Sequence, residues 1–181
     1  MSLKGISEDL KKPTDSISPE TLQEIVTAFK RENDIDEELM NNILLAIWNH
    51  LTKGFTNFDN QLLCSTSFFS VLSKSKTNEI YIKQMKDIIS DQIQNEEKEK
   101  LQAISLIYGI FQSSYFMNKL LLEQNIEQLS TLLQSAFHLL VNNAYEYSQY
   151  TFITFKIMTA FKKVIGTGVE SVIFNKDNQV K

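Results

Sequence analysis

The stretch EKLQAISLIYGIFQSS, Glu99 to Ser114, decides the fold. Leu101, Ala103, Ile104, Leu106, Ile107, Ile110 and Phe111 run together, with Ser105 and Gly109 between them. An amphipathic helix at a protein surface needs one apolar stripe. Here apolar or small residues occupy most of the circumference, so other elements must cover the helix on several sides. A glycine inside a helix costs about 1 kcal/mol relative to alanine, which gives Gly109 a packing reason.

The rest of the chain is helical by the same reading. Its two prolines, Pro13 and Pro19, lie in the first twenty residues, and glycine occurs five times in 181 residues. A β-sandwich would need many more turn residues. Residues 1–17 are polar and mixed in charge, and read as a frayed or disordered segment. Met1-Ser2-Leu3 reads as a cloning remnant, which would put the native start elsewhere. Ser18 can cap a helix that opens on Pro19, and Leu22, Ile25, Val26 and Phe29 give it one apolar face. This cap helix spans 18–33.

A second helix is capped by Asp34 or Asp36 and stopped by Gly54. Its apolar face is Leu39, Ile43, Leu44, Ile47, Trp48 and Leu51. Asp59 is the expected cap of a third helix reaching about Lys74. A fourth begins near Thr77, with Ile80, Ile82, Met85, Ile88, Ile89 and Ile93 inward. After the opening stretch come a short element at 115–124 and two long helices. Gly166-Thr167-Gly168 ends the last. Residues 167–181 are a tail or the start of a further repeat.

The helices recur. QLLCSTSFFSVLSKS (61–75) aligns with KLQAISLIYGIFQSS (100–114) at a constant offset of 39 residues, pairing Cys64 with Ala103, Phe68 with Ile107 and Val71 with Ile110. Ile43, Ile47 and Leu51 match Met85, Ile89 and Ile93 at an offset of 42. The helix pairs are 36–75, 77–114 and 126–166. In each, the first helix is one-sided and the second is apolar nearly all round. This pattern resembles the HEAT/armadillo class of helical-repeat proteins, whose units run about 40–47 residues. The resemblance covers roughly 36–166 and carries no diagnostic motif. It implies an all-α, right-handed α-α superhelix over the domain 18–166. The alternative fold is a globular helical bundle. Neither end shows a strongly polar cap, so the chain reads as a piece of a longer solenoid.

The net charge is −4, and Arg31 is the sole arginine. Phosphate recognition favours basic stripes and bidentate arginines, so this balance disfavours nucleic acid. RNA binding would need Lys30, Lys53, Lys74, Lys76, Lys162 and Lys163 on one face. The lone Cys64 rules out a disulfide within the chain. With no signal peptide, glycosylation sequon or membrane-length apolar run, an intracellular protein, cytoplasmic or nuclear and off the membrane, is expected.

His50 and His138 have no ligand-type residues at metal spacing, and no phosphate loop or nucleophile elbow occurs. No metal, cofactor or catalytic residue is expected, and an enzyme is not. The stretch NNAYEYSQYTF (142–152) is the most suggestive of binding. Asn142, Asn143, Tyr147 and Tyr150 combine amphipathic area with hydrogen-bonding groups, as binding surfaces do. Armadillo proteins that bind extended peptides use Trp and Asn ladders. Here only Trp48 with Asn49 matches, on the first helix of a pair. The expected function is a scaffold or adaptor binding a partner peptide or helix. The alternatives are a helical-bundle enzyme or small-ligand binder, and an RNA-binding repeat.

Overall fold

The structure is a computed structural model that describes residues 1–76, 78–91 and 97–113. Among these the chain is all-helical, with six α-helices and no strand: α1 (Leu3–Asp9), α2 (Pro19–Arg31), α3 (Glu37–Lys53), α4 (Phe58–Leu72), α5 (Asn78–Asp91) and α6 (Glu97–Gln112). Met1–Asn78 forms one compact unit, and a second begins at Glu79. The third pair expected at 126–166 and the segment 167–181 lie outside the described residues.

The local signals mostly act as their chemistry dictates. Ser18 Oγ accepts the Thr21 N–H at 3.2 Å and Pro19 takes the first helical position. Of the two candidate caps for α3, Asp36 is the one used, accepting the Leu39 N–H at 2.8 Å. Gly54 ends α3 at φ 86°, a left-handed value that side chains resist. The expected cap of α4 needs correction. Asn57, not Asp59, accepts the Asn60 N–H, and Asp59 falls in the first turn, where its charge suits the helix dipole. The side chain of Gln61 accounts for the earlier start. It accepts the Phe55 N–H at 2.9 Å and donates to the Leu51 carbonyl at 3.0 Å, which folds the α3–α4 connection tightly.

The expectation of a frayed segment over residues 1–17 is also corrected. Ser2 caps α1 through the Gly5 N–H, and a 3-10 turn follows at Thr14–Ser16. Leu3, Ile6, Leu10 and Ile17 are buried. A seven-residue helix containing a glycine has little stability of its own. What holds it is burial against α2 and α3.

Within this unit the helices form two layers. Glu24 meets the Met1 amine and Thr21 donates to Asp9, so α1 and α2 run antiparallel. Gln61 bonds the Leu51 carbonyl while Cys64 lies against the Ile47 carbonyl, so α3 and α4 also run antiparallel. Ser67 Oγ donates to the Leu22 carbonyl at 2.7 Å, and Lys74 Nζ to the Glu32 carbonyl at 2.7 Å. Both partners advance together, so α2 and α4 are parallel neighbours. Helix α1 packs on α3 as α2 packs on α4.

Helix α4 is central. Gln61, Leu62, Cys64, Ser65, Ser67, Phe68, Phe69, Val71 and Leu72 are all buried. Trp48 stacks at a tilt on Phe68, with ring centroids 5.1 Å apart, and Phe69 meets Phe68 edge-on at 5.3 Å. Such ring pairs add about 0.5–1.5 kcal/mol beyond area burial. The serines let neighbours approach closely, and two of them differ in a measurable way. Ser67 bonds across to α2, whereas Ser65 Oγ is buried without a hydrogen-bond partner.

In the second unit, α6 is covered as the opening stretch demands. Ala103, Ile104, Ser105, Leu106, Ile107, Gly109 and Ile110 are all buried. Helix α5 is one-sided, with Ile82 and Met85 buried and Glu79, Lys83, Gln84 and Asp87 exposed. Ile80, expected inward, is 62 % exposed. At the 42-residue offset it takes the position of Glu38, which is exposed on α3.

Ser67→Ala is expected to lower stability by about 1 kcal/mol, the usual net worth of a hydrogen bond. Ser65→Ala is expected to leave stability unchanged or raise it. Urea midpoints of the two variants against the wild type measure the contrast.

Candidate functional site

The residues expected to bind a partner, Asn142, Asn143, Tyr147 and Tyr150, lie outside the described residues, as does His138. The densest polar chemistry among the described residues is elsewhere, where the α1 end and the 3-10 turn meet the ends of α3 and α4. His50, in the last turn of α3, anchors it. Its Nε2 lies 2.7 Å from the Leu10 carbonyl and its Nδ1 lies 2.9 Å from Thr14 Oγ1. A carbonyl only accepts, so Nε2 carries the proton. In the neutral ring, Nδ1 then accepts from the Thr14 hydroxyl. The ring of Phe55 flanks His50, with centroids 6.5 Å apart.

Asp15 supplies a second fastening. One carboxylate oxygen accepts the Thr56 N–H and the other the Thr56 hydroxyl, each at 2.8 Å. A third lies at the top of α2. There Asp9 accepts from the Thr21 hydroxyl at 3.2 Å and from Lys12 at 2.6 Å. The Lys12 hydrogen bond, helped by Thr21, holds the Asp9 carboxyl below its ordinary value, against the opposing effect of burial.

Thr14, His50 and the Leu10 carbonyl have the outline of a hydroxyl nucleophile, a base and an orienting acceptor. Burial decides how this outline is used. Thr14 is 4 % exposed, so its hydroxyl has no approach for a substrate carbonyl. Both ring nitrogens of His50 are occupied within the fold. The arrangement works as a clasp, tying the chain before α2 to the far end of α3. Sequence reading passed over it because its members are 36 and 40 residues apart. The one local signal was Leu3, Ile6 and Leu10 at helical spacing.

The other residues singled out in the sequence are structural where they are described. Cys64 is fully buried, and burial pushes its thiol far above the ordinary range, the opposite of an activated nucleophile. Trp48 is 7 % exposed against Phe68 while Asn49 faces solvent, so the pair does not form a ladder on one surface. Two of the lysines considered for RNA are engaged within the unit. Lys74 caps the end of α2, and Lys76 lies 3.8 Å from Glu37. Among the described residues no group of His, Cys, Asp or Glu is arranged to hold a metal ion, and no helix is long and apolar enough to cross a membrane.

Comparison with known proteins adds no relative. No family model, no curated protein and no solved structure matches the chain.

Replacing His50 with alanine removes two hydrogen bonds and orphans the buried Thr14 hydroxyl. The expected loss is about 1–3 kcal/mol, read from denaturant midpoints. It should be accompanied by faster amide hydrogen exchange over residues 3–10 than over α4.

Asp9 gives a pH signature. Because its carboxyl is depressed in the folded chain, its contribution is present above the ordinary carboxylate value of about 3.9. That contribution is lost as pH falls through the lower folded value. The stability difference between wild type and Asp9→Asn should therefore be seen at neutral pH and vanish in strong acid.

Native Cys64 should resist alkylation and react fully once the chain is unfolded, as followed by intact mass.

Proposed function

We propose that this chain is a helical-repeat interaction module of the α-solenoid kind, acting as a scaffold or adaptor for a partner peptide or helix. The observation that carries this reading is a burial pattern that repeats along the chain. Shifting α3 by 42 residues onto α5 superposes buried Met40 and Ile43 on buried Ile82 and Met85. The same shift superposes exposed Glu38, Asn42 and Leu45 on exposed Ile80, Gln84 and Asp87. Shifting α4 by 39 residues onto α6 places buried Cys64, Phe68 and Val71 on buried Ala103, Ile107 and Ile110.

The N-terminal pair extends the pattern backwards. Thr21, Leu22, Ile25, Ala28 and Phe29 of α2, all buried, fall 43 residues before Cys64, Ser65, Phe68, Val71 and Leu72 of α4. Leu3, Ile6 and Leu10 fall 41 residues before Leu44, Ile47 and Leu51. Spacings of 39–43 residues, with α2 and α4 as parallel neighbours in the first unit, suit repeated helix pairs. This reading makes α1/α2 a repeat in its own right instead of a lone cap helix. Its outer side carries Glu20, Gln23, Thr27 and Lys30, all exposed.

Such stacks recognise partners by burying aromatic and aliphatic side chains against an extended peptide or an amphipathic helix. In this reading Tyr147 and Tyr150, with Asn142 and Asn143, are the contact residues of the last pair.

The test is affinity capture from the source cell with mass-spectrometric readout. Wild type is run beside a Tyr147→Ala/Tyr150→Ala variant whose thermal melting is intact. A stable protein partner that the variant loses is the expected result, and it places the contact surface at 142–152. A partner retained by both keeps the scaffold and moves its surface. A small molecule co-purifying in place of any protein overturns the proposal in favour of a ligand-binding bundle.

A further inference from the structure

We draw no further inference here: the strongest candidate, the outward stripe of α3 formed by Glu38, Asn42, Leu45 and Asn49, is an exposed helix face of mixed character, and nothing in the structure shows what covers it.

Discussion

Helix α4 has to be covered on most of its circumference, and the N-terminal unit is arranged to do so, leaving only the side of Asp59, Leu63, Thr66 and Ser70 partly open. Two of its three phenylalanines, Phe68 and Phe69, are wholly inaccessible. Fully burying such a side chain is worth about 1.5–3 kcal/mol. No single neighbour can shield a helix all the way round. Helices α2 and α3 therefore both pack on α4, and α1 packs on the two of them. Small residues make this crowding feasible. Cys64, Ser65 and Ser67 are all at 0 % exposure, so adjacent helices come close without large side chains between them. The cost is polar. A buried hydroxyl needs an acceptor, and Ser67 finds two, the Leu63 carbonyl of its own helix and the Leu22 carbonyl on α2, while Ser65 finds none.

Polar fastenings then set what apolar burial leaves loose. Hydrophobic contact is non-directional and fixes little about register. Four hydrogen-bonding side chains supply the direction. Gln61 ties the start of α4 to the end of α3, and Lys74 closes the end of α2. His50 and Asp15 hold the segment before α2 against the α3 end. All four act on backbone N–H or carbonyl groups at helix ends or in loops, where the helices' own ladders leave groups unsatisfied. A single device thus satisfies orphan groups and locks neighbouring elements together.

The same economy bears on function. Residues that would catch the eye as chemistry, a histidine beside a hydroxyl, a lone cysteine and a lone tryptophan, are consumed by the fold where they are described. The exposed positions of the described helices are mostly charged and polar side chains, with Leu45 on α3 and Ile80 on α5 as aliphatic exceptions.

The sequence by itself determined the all-helical class, five of the six described helices, and which helices are one-sided and which are covered all round. Those properties follow from periodicity, caps and scarce glycine and proline, all of which act within about four residues. The 39- and 42-residue offsets were also legible, and at those shifts buried Cys64, Phe68 and Met40 fall on buried Ala103, Ile107 and Ile82. Tertiary structure alone decided the rest. Helix α1 has too few residues to be recognised by propensity and exists because α2 and α3 cover Leu3, Ile6 and Leu10. The start of α4 passed from Asp59 to Asn57 because Gln61 pins the loop from inside. Ile80 stands outside because register, not hydrophobicity, assigns its position. The clasp of His50, Thr14 and Leu10 joins groups far apart in the chain, and such a contact leaves no local trace for a sequence to show.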